Sequence, residues 1–331
     1  MRDFFRLAAI SAVLFVASVG FADSHSDGAS HQKAVLITGA STGIGRHAAE
    51  ALADEGYFVY AGARKQKDLD ALNAIPNVQA IRLDVTSQEE VDAAVETVRK
   101  GGRGLHGLVN NAGVGSAAGP LIEADEADIR WLFDVNVFGV IKVTKAFAPL
   151  IIESKGRITT IGSIAGILTW PGGSDYTMSK HAIEAFSESL AMEMERFDVK
   201  ASVIQPGNYR SDISKSNRER RGELTEAQKN SPYADIYKGR LEGPVDRAEY
   251  KEPDEVTAAI RHALFDPNPK LRYMVVPNIR EASVTIQQTL ARAAQRNERQ
   301  EHAFSREELI AMLDAAIAKE NGTEDSATDN E

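Results

Sequence analysis

Lys33-Ala34-Val35-Leu36-Ile37-Thr38-Gly39-Ala40-Ser41-Thr42-Gly43-Ile44-Gly45 is the stretch that decides the fold. Its first part, 34–38 (AVLIT), is a short apolar run with the composition of a buried strand. It enters a glycine turn that opens onto a helical pattern through 46–55. Glycine lets a backbone turn tightly and approach a ligand, and the N-terminus of the following helix offers free N–H groups and the positive end of its dipole. A pyrophosphate suits such a turn. The spacing Gly39, Gly43, Gly45 nevertheless departs from the G-x-G-x-x-G fingerprint, so by itself the loop also reads as an ordinary strand-to-helix turn.

Outward from that turn, strand and helix patterns alternate. Strands are expected at 58–62, 78–83, 105–109, 157–161, 200–205 and 271–276. Helices are expected at 88–100, over a long stretch of about 125–153, and at 176–196 and 253–265. Strands separated by helices imply βαβ units and a parallel sheet covered on both faces. Right-handed crossovers then point to an α/β fold with a doubly wound sheet. Residues 211–250, rich in charge, Pro and Gly, break the rhythm and read equally as a solvated insertion or as a lid beside the ligand crevice. Past Pro277 the chain offers two amphipathic helices, about 280–296 and 305–319, and then an acidic tail. The expected organisation is a single domain over 33–279 with a C-terminal helical extension over 280–331.

Composition narrows the functional classes. The chain has 331 residues, with 38 Lys and Arg against 48 Asp and Glu, a formal charge of −10. That balance argues against a nucleic-acid partner, because a phosphate backbone needs a basic face. Cysteine is absent, which excludes disulfides, thiolate metal sites and cysteine nucleophiles; no metal site is expected. At the other end, Arg2 and Arg6 precede an apolar run at 7–22, with Gly20 and Ala22 just before Asp23. This reads as a signal peptide, with an uncleaved membrane anchor as the second reading, followed by a polar linker at 23–32. Export or membrane association is therefore expected, ahead of a cytoplasmic location.

Several further motifs lie at the ends of successive expected strands: Asn110-Asn111-Ala112-Gly113, Ser163, Tyr176-x-x-x-Lys180 and Pro206-Gly207. With the glycine turn, and in this order, they resemble the classical short-chain dehydrogenase/reductase family, whose fold is a Rossmann-type doubly wound sheet. The resemblance covers about residues 33 to 277 and is nearest the branch of retinol, 17β-hydroxysteroid and 3-hydroxybutyrate dehydrogenases. It implies an NAD(P)-dependent oxidoreductase that moves hydride between the nicotinamide and a secondary alcohol or carbonyl, with homo-oligomerisation expected.

The residue types have physical reasons. Tyr176 and Lys180 are four apart on an expected helix, so their side chains share a face. An unperturbed tyrosine titrates near 10, too high for a base at neutral pH, and a neighbouring ammonium favours the phenolate. The resemblance assigns Tyr176 as general acid/base, Lys180 to the nicotinamide ribose, Ser163 to the substrate oxygen and Asn136 to a water that relays protons to the lysine. A serine at a strand end also reads as a plain cap. For the cofactor, the resemblance implies contacts from Gly39, Ser41, Gly43, Ile44 and Gly45, from Asp84, Val85 and Asn111, and from Pro206, Gly207 and Tyr209, with Ser211 standing where the family often has threonine. Strand two ends in Ala61-Gly62-Ala63-Arg64-Lys65 without an acid, so Arg64 is the candidate for a 2′-phosphate and NADP(H) is favoured over NAD(H).

The branch resemblance suggests an apolar secondary alcohol or ketone. Residues 164–170 and the charged lid should line its pocket, although Trp170 reads equally as core. Arg218, Arg220 and Arg221 read as a solvated face in preference to a site for an acidic substrate. The alternative to an enzyme is a catalytically silent dinucleotide-binding sensor or scaffold of the same fold. An exported enzyme that depends on NADPH is in tension with the cytoplasmic location of that cofactor, and Arg2 and Arg6 are too far apart for a twin-arginine leader.

Overall fold

The computed structural model describes residues 32–116, 118–242 and 249–321. The expected leader at 1–22, most of the linker and the end of the acidic tail lie outside the described residues. The described chain forms one seven-stranded sheet, parallel throughout, in the order β3-β2-β1-β4-β5-β6-β7. The first half runs β1 (Ala34–Ile37), α1 (Gly43–Asp54), β2 (Phe58–Ala63), α2 (Gln66–Asn73), β3 (Val78–Arg82), α3 (Gln88–Lys100) and β4 (Gly107–Asn110). The second half runs α4 (Glu126–Phe133), α5 (Gly139–Glu153), β5 (Arg157–Ile161), α6 (Ser174–Met194) and β6 (Lys200–Pro206). Then come α7 (Ile213–Arg221), α8 (Glu226–Lys229), α9 (Ala234–Glu242), α10 (Asp254–Phe265), β7 (Arg272–Val275), α11 (Ile279–Asn297) and α12 (Arg306–Glu320).

β1 is apolar at every position because helices cover both faces of the sheet, and all four of its residues are buried. Successive side chains point to opposite faces. Val35 and Ile37 pack with Leu52 of α1 and Ile260 and Leu264 of α10, whereas Ala34 and Leu36 pack with Val91 of α3 and Val143, Phe147 and Ile151 of α5. The strand order reverses between β1 and β4, where a crevice opens beyond the carboxyl ends of the strands.

The structure adds three features to the expected pattern. The helix expected at about 125–153 is present as a continuous run over Glu126–Glu153, with a π-helical turn at Asp134–Phe138 joining α4 to α5. That wide turn widens the spiral around Asn136, and such turns occur often at functional sites. Residues 211–250, which break the strand–helix rhythm, hold α7, α8 and α9. Only Tyr237 is buried among these three helices, so they carry no apolar stripe from which a period could be read. α2, short and mostly polar, was not expected at all.

By length and composition the run Glu126–Glu153 could cross a membrane, but 56% of its most apolar window is buried inside the protein. Its apolarity is that of a helix packed on a sheet.

Candidate active site

The glycine turn lies at the reversal point. Gly39 has φ +65°, a left-handed conformation that penalises any side chain, and a Cβ there would lie 2.8 Å from Ala112 Cα. Gly45 is required for a different reason: a Cβ on it would sit 2.2 Å from Asn111 Nδ2 and 2.7 Å from the Gly39 carbonyl oxygen. Asn111 fills that space because its amide donates to the carbonyls of Thr38 (2.9 Å) and Gly39 (3.1 Å). Thr38, which carried no sequence signal beyond a hydroxyl at a strand end, accepts from the backbone N–H groups of Asn111 and Ala112, both at 3.0 Å. The ends of β1 and β4 are thereby stitched together. Thr42, the residue before α1, makes no side-chain cap bond, and the first turn of α1 holds no acid. The free N–H groups of this helix are left for an anionic ligand.

A cleft of about 300 Å³ collects most of the expected residues: Gly39, Ser41, Gly43, Ile44, Arg64, Asp84, Val85, Asn111, Ser163, Tyr176, Lys180, Pro206, Gly207, Tyr209 and Ser211 line it. Gly45 sits directly behind that lining, against Asn111. Arg64 is at one end, its side chain 59% exposed and its Nη1 3.6 Å from Asp84 Oδ2. Partial burial pushes the Asp84 carboxyl up, but the backbone N–H and hydroxyl of Thr86, with Arg64, outweigh this and hold it below its ordinary value. Asp84 is thus ionised and partly offsets the arginine, whose outer surface faces solvent.

At the other end Tyr176 and Lys180 stand on one face of α6, the ammonium 5.8 Å from the centre of the phenol ring. Lys180 is buried and its Nζ donates to the Ile161 carbonyl at 2.9 Å. Burial lowers its pKa to about 8 against the opposing pull of Glu184. Ser163 follows β5, and its hydroxyl accepts from the Ala165 N–H (3.1 Å), capping a short 3₁₀ turn. It therefore caps a turn and lines the cleft at once. Asn136 is not in the cleft lining. Its amide is pinned instead, the oxygen accepting from Val114 N–H (2.8 Å) and the nitrogen donating to the Val114 carbonyl (2.9 Å) and Ser179 Oγ (3.2 Å).

Past β6, the Asn208 N–H donates to Glu281 Oε2 (2.8 Å), which lies where a Cβ on Gly207 would fall. Glu281, at the start of α11, is a residue the sequence reading missed. The Tyr209 side chain is buried in the core, and its hydroxyl is pushed up to about 12 by burial and by Glu255 and Glu281. Ser211 faces Gly43 across the cleft, 3.2 Å from where a Cβ on that glycine would be.

A second cavity, about 650 Å³, shares Ser163 and Tyr176 with the first. Ile164, Ala165, Leu168 and Trp170 line it, as do Arg221 and Arg240. Trp170 is 46% exposed with its ring centre 6.4 Å from that of Tyr176, so it is cavity wall and not core. The three arginines expected on a solvated face divide. Arg220 lies over the Trp131 ring and pairs with Asp128 at 3.0 Å. Arg218 donates to the Leu241 carbonyl, while Arg221 turns inward to the Ser116 carbonyl. Among the described residues no group of acids and histidines is placed to hold a metal.

The profile of the short chain dehydrogenase family matches residues 33–222. Retinol dehydrogenase 16 of Rattus norvegicus is 34% identical over 253 residues, 73% of this chain and 80% of its own. The mitochondrial D-beta-hydroxybutyrate dehydrogenase of Mus musculus is 39% identical over 197 residues, 56% of this chain and 57% of its own. A short chain dehydrogenase/reductase from Burkholderia phymatum, solved in complex with NAD, superposes with a TM-score of 0.67 at 26% identity, covering 82% of this chain and 98% of that one. The parallel seven-stranded sheet agrees with these matches, and the chain belongs to the short-chain dehydrogenase family of oxidoreductases.

Proposed function

We propose that the protein is an NADP(H)-dependent oxidoreductase acting on a secondary alcohol or carbonyl, with Tyr176 as general acid/base. The observation that carries this reading is that Ser163, Tyr176 and Lys180 line the same cleft as the glycine turn. The cradle suits a dinucleotide, since the uncapped N-terminus of α1 leaves N–H groups for a phosphate, and Gly39 and Gly45 let the turn pack close against Ala112 and Asn111. A bound nicotinamide would supply the hydride acceptor for oxidation and the hydride donor for reduction. Tyr176 accepts the alcohol proton in the first direction and donates it in the second. Ser163 Oγ holds the same substrate oxygen, fixing its orientation. Lys180, with one N–H committed to Ile161, has donors left for the nicotinamide ribose. Asn136 holds the loop at Val114 and anchors the relay water. Gly43, Ser41 and Ile44 serve the pyrophosphate, Asp84, Val85 and Asn111 the adenosine, and Pro206, Gly207, Tyr209 and Ser211 the nicotinamide side.

Arg64 supports NADP(H) over NAD(H), because a guanidinium with an exposed face binds a 2′-phosphate with two bonds. We read residues 33–279 as the dinucleotide-binding body, 211–250 as its lid and 280–331 as a helical extension. Exposed Ile286, Leu290, Ile310 and Leu313 on α11 and α12 support a homo-oligomer. The apolar segment at 7–22 supports export or membrane association, which the N-terminus of the mature chain and cell fractionation test. The catalytic reading is tested by Tyr176→Phe. Turnover should fall by roughly 10²–10⁴-fold while NADPH fluorescence still reports binding. Unchanged turnover removes the mechanism, and a wild-type protein that binds NADPH without turning over any alcohol or carbonyl favours the silent sensor.

A further inference from the structure

The second cavity has a reacting end at Ser163 and Tyr176 and a charged end formed by Arg221 of α7 and Arg240 of α9. Arg221 donates to the Ser116 carbonyl from Nε (3.0 Å) and from Nη2, and to the Arg240 carbonyl from Nη1 (3.2 Å). Arg240 donates from Nη2 to the Ser116 carbonyl (3.3 Å) and hydroxyl (3.0 Å). Two guanidiniums therefore converge on one peptide oxygen. Among the described residues, neither has a carboxylate oxygen within 4.0 Å.

The fixed negative charge that acts on both is Asp175, whose oxygens are held by the N–H groups of Tyr176 (2.8 Å) and Ala118 (3.4 Å). One carboxylate balances one guanidinium. At the rim Arg280 and Glu281 offset each other, and Glu281 is committed to Asn208 and Asn278. Burial holds both inward arginines below their ordinary pKa, Arg221 at about 10, still charged at neutral pH. A guanidinium has five donors, so each retains N–H groups beyond the bonds named. A partly buried charge without a full counter-charge is costly, and a ligand can supply what is missing.

We propose that Arg221 and Arg240 bind a carboxylate of the substrate, so that the molecule oxidised or reduced is a hydroxy acid or oxo acid with its reacting oxygen at Ser163 and Tyr176. This rests on the oxidoreductase reading above and replaces the apolar substrate expected from sequence.

The test compares 3-hydroxyhexanoate with its methyl ester, NADP⁺ being the oxidant in both, in the wild type and in Arg221→Gln, Arg240→Gln and Arg240→Lys. The wild type should favour the acid in kcat/KM by at least about ten-fold, the value of one charge-assisted bond. Either glutamine variant should cut the acid-to-ester ratio by a similar factor, mainly through KM, and Arg240→Lys should restore part of it. NADPH fluorescence and thermal melting identify variants that fail to fold. Equal use of acid and ester by the wild type, or a glutamine variant that lowers both alike, overturns the carboxylate site while leaving the oxidoreductase reading intact. Calorimetric titration of the acid into enzyme with NADP⁺ separates the remaining case. Binding that Arg240→Gln weakens ten-fold, without turnover, supports the site while excluding this acid as a redox substrate; absence of binding refutes the site.

Discussion

Gly45→Ala tests the glycine turn most directly, because a single methyl group meets a defined pair of atoms. The new Cβ would lie 2.2 Å from Asn111 Nδ2 and 2.7 Å from the Gly39 carbonyl oxygen. The first obstacle is a side chain and can leave; the second is backbone in a left-handed turn and yields little. Displacing the Asn111 amide breaks its bonds to Thr38 and Gly39, each worth about 1 kcal/mol net. Residual crowding against Gly39 adds about 1–3 kcal/mol. Alanine returns up to about 1 kcal/mol as a better helix former in α1. The balance is a loss of about 2–5 kcal/mol. At about 2–4 °C per kcal/mol for a body of this size, Tm falls by several degrees.

The same substitution should weaken NADPH binding, since it distorts the cradle as well as destabilising it. Asn111→Ala supplies the control. In a double-mutant cycle, the cost of Gly45→Ala should shrink by about the two lost hydrogen bonds when Asn111 is already truncated. The assays are urea unfolding and NADPH fluorescence on all four proteins. A Gly45→Ala protein within about 0.5 kcal/mol of wild type, the noise of an ordinary surface change, with undisturbed NADPH binding would refute the reasoning. So would strict additivity.

Two more outcomes are expected. Arg64→Ala should raise KM for NADPH by on the order of ten-fold or more and KM for NADH much less, measured by steady-state kinetics with each cofactor; equal shifts would remove Arg64 from the 2′-phosphate. Lys180 should leave a signature in stability against pH. Its folded pKa, about 8, lies below its ordinary 10.5, so the unfolded chain holds the proton more tightly. Below pH 8 both states are charged and the full burial cost is present; that cost is relieved as pH rises from 8 to 10.5. Relative to Lys180→Met, the wild type should gain roughly 3 kcal/mol of unfolding free energy across that window. A difference that stays flat with pH would mean the ammonium is not buried at such cost.

Much of the body was legible before any coordinates. A strand such as β1 is apolar at every position because helices cover both sides, and a run of that kind is visible in one dimension. α3 could be bounded at both ends, with Ser87 capping it and Gly101 following it. What escaped was structure without an apolar stripe. α7 has no buried residue and is held through arginines that reach the Ser116 and Leu241 carbonyls and Asp128, contacts between residues far apart in the chain. The π-helical turn at Asn136 escaped for a related reason: the Val114 backbone that pins its amide belongs to the loop after β4.

The candidate site divides in the same way. Glycines, a phenol and an ammonium at set spacings around strand ends determine a glycine turn and a phenol–ammonium pair in one cleft, because the turn of a helix and the end of a strand are local geometry. Ser163, Tyr176 and Lys180 could be named from the chain alone. Thr38, Glu281 and Arg240 could not, and Arg221 was read as solvated. The energy of a charge depends on how deeply it is buried and on which opposite charge stands beside it. For Arg221 and Arg240, that is settled by where α7 and α9 fold against the loop at Ser116, a proximity across more than a hundred residues that no local pattern encodes.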